Sequence, residues 1–589
     1  MSPPRPLISR DEMLWAGGWA ALLMALTCLP YLAGLAFTPY GGRYLGFVYN
    51  PDEPNVHQAW IRQAWEGRLR FENRFTSEPH QGRFFNVFLL ATGRFARLVH
   101  LDVYWAFQLA RLFWGFVLLV GIYLGLAPFI LSRRRRRLTF LFIATSSGLG
   151  WLYVWGSHGR GALDPIDTAP GLAMPEAITF LTVYLNPLFA FSVLLLLVSL
   201  TLAIQGFRRR DLRYAGAAGV VALVLANSHT YDIPALWLTL GLYVAWQGFR
   251  RRRLPAAELK GLGLILLLSG PAVLYQAHLI LSDPLYGAKA NTWTPSPGMR
   301  PYPEYRALGS WAHDLGRSLL TYGLSYGLLV PLAGGGLYLT LRRRQERYLP
   351  FILWLGATLP LLYAPVPFQR KMAEGMHLPL GVLAAAALDF GSRRLAWGGL
   401  RPLFRSRRQR RRWYQGAVRA VQTLALAALI PSNLHFIASN IGDLLDNNRS
   451  KLGVLMPPHY LNQAQYQGLQ WLSSRAQPDD IVLCTPLIGN YLPARAGCKV
   501  FVGHWAETIH FGRKVGLTWD FFGDRTPPEE KQAFLQQNRI RYVFLGPYER
   551  ALNTGHVERL PCLREVFHAV NEADDTGDVW IYEVVSPID

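Results

Sequence analysis

Two adjacent carboxylates, Asp52 and Glu53, are the residues of this chain whose types and spacing best suit acid–base chemistry. They stand in the sequence Tyr-Asn-Pro-Asp-Glu-Pro, at the start of a long polar stretch that follows the first apolar block. In such a pair, one carboxylate can act as a general base while the other orients the substrate or the base. An aspartate at a water-exposed surface is ionised at neutral pH and can therefore accept a proton.

The same pair also has a structural interpretation. An acidic residue followed by a proline in the first turn is an ordinary helix start. Residues 55–67 have the pattern of an interfacial amphipathic helix that carries Trp60 and Trp65. The two interpretations are compatible, because a rigid helix start would hold a catalytic carboxylate in place.

The polar stretch at residues 38–103 is rich in arginine. These side chains could face water and lipid headgroups, or a few of them could bind a phosphate group. We keep Arg83 as a candidate substrate-binding residue. The arginines of this stretch are Arg43, Arg62, Arg68, Arg70, Arg74, Arg83, Arg94 and Arg97.

The elements that must position these residues are membrane-spanning helices. Hydrophobic residues make up 51% of the chain and charged residues only 17%, and the apolar residues come in blocks long enough to cross a bilayer. These blocks and their flanks predict about eleven spans. The predicted spans begin near Leu14, Tyr104, Leu138, Glu176, Leu212, Asp232, Gly261, Ser318, Tyr348, His377 and Gln415.

The formal net charge of +22 could suggest a nucleic-acid partner, but the position of the charges argues against one. The excess lies in five arginine runs between apolar blocks, at residues 133–137, 208–213, 250–253, 342–347 and 393–412. Arginine in short loops between spans marks the cytoplasmic side. We therefore expect an integral protein of the plasma or inner membrane with a cytoplasmic N-terminus. The loop at residues 38–103 and everything after about residue 436 would then lie outside.

The chain changes character after the last apolar block. We expect residues 1–440 to form the multi-spanning domain and residues 441–589 to form a soluble extracytoplasmic α/β domain. A helix is predicted at residues 462–476, and another begins with Thr526 as a hydroxyl cap. Strands are predicted at residues 481–484, 500–502, 541–545, 565–568 and 579–584. Cys484 and Cys498 could form a disulfide in an oxidising compartment, and the sequence does not decide this.

These features resemble the GT-C superfamily of integral membrane glycosyltransferases, which includes the protein O-mannosyltransferases and the bacterial aminoarabinose transferases that modify lipid A. The resemblance rests on the acidic pair Asp52-Glu53 after a first span, the long outer loop, about ten further spans, and the outer segment at Arg370-Lys371. It implies inverting transfer of a hexose or pentose from a polyprenyl-phosphate carrier to an acceptor outside the membrane. By this resemblance, Asp52 stands at the position of the catalytic base and Glu53 is the second acid of the pair.

The resemblance suggests roles for further residues. The leaving group is a phosphate, whose charge protein cations can stabilise. Arg370 and Lys371 would bind the donor phosphate. The alternative is an interfacial pair whose side chains extend so that their charged groups stay in water. His229 and Tyr231, between the fifth and sixth predicted spans, would line the donor pocket. The alternative for that segment is a polar turn in which Asp232 caps the next helix.

Asp164 and Asp167 could form a second acidic motif of the kind some family members have in the next outer loop, although their spacing is also ordinary in loops. No cysteine or histidine spacing indicates a metal site. We therefore expect no cofactor; a divalent metal is compatible with the chemistry but not indicated. The expected partners are a polyprenyl-phosphate-linked sugar donor, an acceptor that is a glycan, a lipid or a protein, and membrane lipid.

Two other classes of function fit a polytopic membrane protein with an outer domain. A transporter or flippase of lipid-linked sugars would show paired inverted halves and ionisable residues at the membrane midplane, whereas here those residues cluster at the outer boundary. The other class is a non-catalytic membrane protein that binds glycans. The sequence favours glycosyl transfer, and it identifies neither the sugar nor the acceptor.

Overall fold

The computed structural model describes residues 8–152, 174–283, 285–287, 294–301, 304, 306, 309–400, 407–572 and 576–585, and these are mostly helical. The chain divides into two compact units, each built from segments that are distant in sequence. The first unit comprises Met1–Thr27, Ala110–Ala277 and Trp293–Ala438. The second comprises Cys28–Leu109, His278–Thr292 and Ser439–Asp589, so the first polar loop groups with the C-terminal segment.

Sixteen helices precede residue 447 in the described part of the chain. They are α1 (Arg10–Ala36), α2 (Asp52–Glu66), α3 (Val87–Leu98), α4 (Val103–Leu126), α5 (Arg133–Thr145), α6 (Thr179–Leu185), α7 (Pro187–Arg209), α8 (Leu212–Ala226), α9 (Ile233–Arg251), α10 (Ala256–Ser282), α11 (Trp311–Tyr326), α12 (Leu329–Arg342), α13 (Leu349–Leu361), α14 (His377–Leu400), α15 (Arg407–Ala428) and α16 (Pro431–Asp446). Short 3-10 turns lie at Thr230–Asp232 and Gln369–Ala373, before α9 and α14 respectively.

Five of these helical segments are long and apolar enough to cross a membrane, namely Arg10–Ala36, Val103–Leu126, Pro187–Arg209, Ala256–Ser282 and Arg412–Asp446. A sixth results if α11 and α12, which are bent by 93° to each other, count as one span. The other predicted spans begin at helices that are shorter or less apolar, so the count of about eleven stays a prediction.

The span predicted from Glu176 is interrupted. Asn186 ends α6, and its side chain accepts a hydrogen bond from the backbone N–H of Leu188 at 3.0 Å. Pro187 occupies the first turn of α7, where its missing N–H costs nothing. The Asn-Pro pair therefore divides this apolar stretch into two helices.

Apolar side chains from α1, α4, α5, α7, α8 and α9 form the main core of the first unit. One member of the first arginine run is buried beside this core, since the Arg136 side chain is only 2% exposed. Its guanidinium donates to the carbonyl of Ile130 at 3.0 Å and pairs with Glu12. The Glu12 carboxylate also accepts a hydrogen bond from the Tyr123 hydroxyl at 2.8 Å. This arginine is thus a partnered internal ion.

The second unit contains a five-stranded mixed sheet in the order β4-β3-β5-β7-β6. Strand β3 is parallel to both β4 and β5, and β7 is antiparallel to both β5 and β6. The strands are β1 (Gly42–Tyr44), β2 (Tyr460–Asn462), β3 (Ile481–Leu483), β4 (Lys499–Val500), β5 (Ile540–Leu545), β6 (Leu563–Ala569) and β7 (Val579–Val584). The helices are α17 (Gln463–Arg475), α18 (Pro486–Gly489), α19 (Leu492–Arg495), α20 (Phe511–Phe522), α21 (Pro528–Gln537) and α22 (Pro547–Arg550).

Within this unit the first polar loop is tied to the C-terminal segment. Strands β1 and β2 pair antiparallel with Arg43 opposite Leu461. Arg62 donates to the carbonyl of Arg495 at 2.6 Å. The buried Arg74 pairs with Glu66 at 2.8 Å. Several arginines of the loop therefore make structural contacts.

Candidate functional site

Asp52 begins helix α2, and the two residues before it turn the chain into the helix. Asn50 has a φ of +42°, which asparagine tolerates better than most residues. Pro51 is the N-cap residue and makes no side-chain cap bond. One Asp52 oxygen, Oδ1, accepts the N–H of the next residue, Glu53, at 2.9 Å. The structural interpretation of the pair as a helix start is therefore confirmed, because Asp52 and Glu53 lie in the first turn of α2.

The other oxygen of Asp52 faces His504. Nε2 of His504 lies 3.7 Å from Oδ2 of Asp52, and both side chains are buried. Nδ1 of His504 accepts the backbone N–H of Ala506 at 3.1 Å. The neutral imidazole therefore carries its proton on Nε2, the nitrogen that faces Asp52. Because 3.7 Å exceeds a direct hydrogen bond, a hydroxyl group beside the pair could bond to both.

The environment makes Asp52 a stronger base than a surface aspartate. Burial raises the pKa of Asp52, the facing His504 opposes this rise, and the charge of Glu53 adds to it. The expectation of an ordinary surface carboxylate is thus corrected, since Asp52 is only 5% exposed. Glu53 is partly exposed beside it. A carboxylate with a raised pKa holds an abstracted proton more firmly.

In the first unit, the turn between α8 and α9 presents two more of the candidates. The hydroxyls of Ser228 and Thr230 donate to carbonyls in the last turn of α8, at 2.8 and 2.6 Å respectively. His229 then points its Nδ1 at Oδ2 of Asp232, 3.1 Å away. Asp232 makes no side-chain cap bond to α9. Asp232 therefore occupies the N-cap position of α9, as the polar-turn alternative predicts, but its carboxylate contacts His229 instead of the N–H groups of the helix.

Glu374, in the loop before α14, completes this cluster. Its Oε2 lies 3.2 Å from Nδ1 of His229, and the hydroxyl of Ser192 on α7 donates to Oε1. Gly375 follows with a φ of +74°, a conformation that favours glycine. Glu374 is 1% exposed. Burial raises the pKa of Glu374, and the charge of Asp232 raises it further.

The cation pair lies on the 3-10 turn just before Glu374. Nε of Arg370 lies 3.8 Å from Oε1 of Glu176. Nζ of Lys371 lies 5.3 Å from the centre of the Tyr231 ring, a cation–π contact. The Tyr231 ring in turn packs against His229, with 5.2 Å between the ring centres. The structure thus brings together four residues that the sequence analysis selected.

The remaining candidates stand apart from these two groups of contacts. Arg83 forms an ion pair with Asp283 at 3.2 Å. Asp164 and Asp167 lie outside the described residues. Cys484 and Cys498 are both buried free thiols.

Sequence reasoning missed His504 and Glu374. His504 follows the carboxyl end of β4, one of the parallel strands of the sheet, and that edge commonly carries functional residues in α/β proteins. This signal was present in the predicted strand at residues 500–502. Glu374 lies three residues after Lys371, but only the fold shows that it faces His229.

No model of a known protein family and no curated protein sequence matches the chain. Among solved structures, it is similar to the Archaeoglobus fulgidus oligosaccharyltransferase tethered with an acceptor peptide, with a TM-score of 0.51 and 12% identity over 96% of this chain and 74% of that one. It is also similar to ArnT from Cupriavidus metallidurans bound to undecaprenyl phosphate, with a TM-score of 0.50 and 13% identity over 97% of this chain and 99% of that one. A complex of Archaeoglobus fulgidus AglB with an inhibitory peptide and a dolichol-phosphate gives a TM-score of 0.50 and 13% identity over 97% of this chain and 74% of that one.

These neighbours are glycosyltransferases of the GT-C type, and the resemblance seen in the sequence is confirmed at the level of the fold. At such low identity the fold is what they share with this chain. Together with the long apolar helices, this fold makes the chain an integral membrane protein.

Proposed function

We propose that this protein transfers a sugar from a polyprenyl-phosphate-linked donor to an acceptor on the extracytoplasmic side of the membrane, with inversion at the anomeric carbon. The observation that carries the proposal is a buried carboxylate, Asp52, that faces His504 at a helix start within a GT-C fold. Neighbours with this fold were solved with undecaprenyl phosphate, dolichol-phosphate and an acceptor peptide, which supports both the donor and the acceptor class.

Asp52 acts as the general base. As the acceptor oxygen attacks the anomeric carbon, its proton moves to Oδ2 of Asp52. The bond between the anomeric carbon and the phosphate oxygen breaks, and polyprenyl phosphate leaves with the electron pair. His504 is a positioning residue whose Nε2–H orients the carboxylate or the acceptor hydroxyl. Glu53 is the second acid of the pair, and its charge helps to keep the pKa of Asp52 raised.

Arg370 and Lys371 bind the donor phosphate, with Tyr231 and His229 beside them. Charge-assisted hydrogen bonds to phosphate are stronger than neutral ones, and cations next to a departing phosphate stabilise the charge that develops on it. The Arg370 guanidinium forms a loose ion pair with Glu176, and the Lys371 ammonium makes a cation–π contact with the Tyr231 ring. Both cations are only partly exposed, so solvent screens them less than it screens surface charges.

The direct test is transfer by the purified full chain in proteoliposomes, with a panel of radiolabelled undecaprenyl-phosphate-linked hexoses and pentoses. Label that moves from the carrier to an added acceptor supports the enzyme. Label that crosses the bilayer while still on its carrier would indicate a flippase instead. Binding without either event would indicate a glycan-binding protein.

Binding of undecaprenyl phosphate tests the cation pair separately. Arg370→Ala and Lys371→Ala should each weaken binding by about tenfold or more, because loss of a hydrogen bond to a charged group costs roughly 1.5–3 kcal/mol. Undecaprenol, which lacks the phosphate, is the control lipid, and Arg347→Ala at an exposed position of the same unit is the control variant. Unchanged binding in both variants would leave these residues as an interfacial pair only.

A further inference from the structure

We infer that His229, Asp232 and Glu374 form a binding site for one divalent transition-metal cation of the Zn²⁺ or Mn²⁺ class. One ligand atom from each side chain lies within 4.8 Å of the other two. Nδ1 of His229 is 3.1 Å from Oδ2 of Asp232 and 3.2 Å from Oε2 of Glu374. The three residues come from the turn between α8 and α9 and from the loop before α14, so the fold assembles the site.

The two distances from Nδ1 of His229 are those between neighbouring ligands of a small cation. Metal–ligand distances of about 2.1 Å place neighbouring ligands about 3.4 Å apart in a tetrahedral site. In an octahedral site they lie about 3.0 Å apart. A donor set of one imidazole nitrogen and two carboxylate oxygens suits zinc or manganese better than calcium, which prefers oxygen alone. The hydroxyl of Ser192 donates to the other oxygen of Glu374, the kind of outer contact that orients a ligating carboxylate.

The cluster is also incomplete as it stands. His229, Asp232 and Glu374 are 4%, 2% and 1% exposed respectively. Nδ1 of His229 lies at almost the same distance from both carboxylates, but it forms a hydrogen bond with Asp232. Oε2 of Glu374 is buried, has no hydrogen-bond partner among the described residues, and points at the same nitrogen. A cation bound by a neutral Nδ1 and both carboxylates would satisfy all three groups.

The surrounding charges point the same way. Glu374 interacts electrostatically with Asp232, Glu176 and Lys371, and Glu176 faces Arg370. In this set of five, the carboxylates outnumber the cations by one. With all three carboxylates ionised, a bound divalent cation would leave this set with a net positive charge, and a positive environment is what attracts an anionic phosphate. The metal would also fasten the loop that carries Arg370 and Lys371 to the turn that carries Tyr231.

The test measures metal binding and needs no glycosyl transfer, so it stands apart from the proposed function. The full chain, purified in detergent without a polyhistidine tag, is stripped with chelator and dialysed against ZnCl₂ or MnCl₂. Elemental analysis should then find one tightly bound metal per chain, and the metal should raise the thermal unfolding temperature. Glu374→Gln and Asp232→Asn should each weaken binding by at least about tenfold, since even outer contacts to a metal contribute that much.

Glu258→Gln is the matched control, because Glu258 is also a buried carboxylate of the first unit but is not among the three ligands. It should keep the bound metal. The absorption spectrum of the Co²⁺-substituted protein should change in His229→Gln but not in Glu258→Gln. A wild-type chain that retains no metal above the chelator-treated level would overturn the proposal. Equal binding by wild type, Glu374→Gln and Asp232→Asn, with all three monodisperse, would overturn it as well.

Discussion

A single residue, Asp52, combines a helix start with a buried charge. Because burial raises its pKa in the folded state, the protonated form is favoured on folding. Its contribution to stability is therefore fully present below the unfolded-state pKa and is lost as the pH rises through the raised folded-state pKa. Above the folded-state pKa, the ionised carboxylate costs stability. This cost is typical of a group whose environment is arranged for chemistry.

His504 should set the pH at which Asp52 works. The facing imidazole opposes the rise of the Asp52 pKa, so His504→Gln should raise that pKa further. Transfer requires ionised Asp52. The acid limb of the plot of kcat/KM against pH should therefore move to higher pH in the variant. The measurement is kcat/KM against pH for wild type and variant.

His568→Gln is the control for this comparison, because His568 stacks on Trp580 elsewhere in the same unit. It should leave the acid limb in place. If His504 had only a structural role, its loss would lower the rate at every pH and leave the pH profile unshifted. That outcome would contradict the role of His504 in setting the pKa of Asp52.

At the scale of elements, short turns between helices carry the functional side chains. The loop before α14 reverses at Gly375, where a Cβ would lie 2.9 Å from Cζ2 of Trp354 and 3.1 Å from Cδ2 of Leu196. Gly375→Ala should destabilise the protein by more than about 1–2 kcal/mol, because left-handed backbone alone costs an L-residue that much. The thermal unfolding temperature should fall, and binding of undecaprenyl phosphate should weaken as Arg370 and Lys371 shift.

Gly391→Ala provides the comparison, because Gly391 lies within α14 and a Cβ added there would have no atom within 4 Å among the described residues. Alanine is the better helix former there, so stability should stay the same or rise slightly. If both variants behaved alike, the close packing at Gly375 would not be what shapes the loop.

Elements with local signals were predictable from the sequence. The helix predicted at residues 462–476 is α17, and its start is set by a reciprocal pair of bonds between Asn462 and Gln465. The strand predicted at residues 579–584 is β7 with the same bounds. The hydroxyl cap predicted at Thr526 is wrong, because the N-cap of α21 is Pro527 and makes no side-chain bond.

Contacts between distant segments were not predictable in this way. Asp52 and His504 belong to opposite ends of the chain, and no periodicity or spacing relates them. The same holds for His229 and Glu374, because their contact depends on the reversal of chain direction at Gly375. Asp232 carries an ordinary cap signal, but its carboxylate contacts Nδ1 of His229, three residues earlier, and makes no side-chain cap bond to α9. Local patterns therefore located the candidates, while tertiary packing decided their partners.

At the scale of the whole molecule, the arginine runs predict the orientation in the membrane. Thr554→Cys, at an exposed position near the C-terminus, should react with a membrane-impermeant thiol reagent in intact cells. Gln409→Cys, exposed within the longest arginine run, should react only after permeabilisation. The parent chain is the control, since three of its four cysteines are buried. Labelling of Gln409→Cys in intact cells would reverse the proposed orientation.

The most direct test of the account is the initial rate of sugar transfer per folded molecule for Asp52→Asn. The amide keeps the shape of the side chain and removes its basicity, and the loss of a buried charge should leave the fold at least as stable at neutral pH. General-base catalysis supplies roughly 10²- to 10⁴-fold, so the rate should fall by about that factor while binding of undecaprenyl phosphate is retained. Glu53→Gln should lose less, because its side chain only assists the base. A rate for Asp52→Asn within about threefold of the parent, far below the general-base range, would contradict the assignment of Asp52 as the catalytic base.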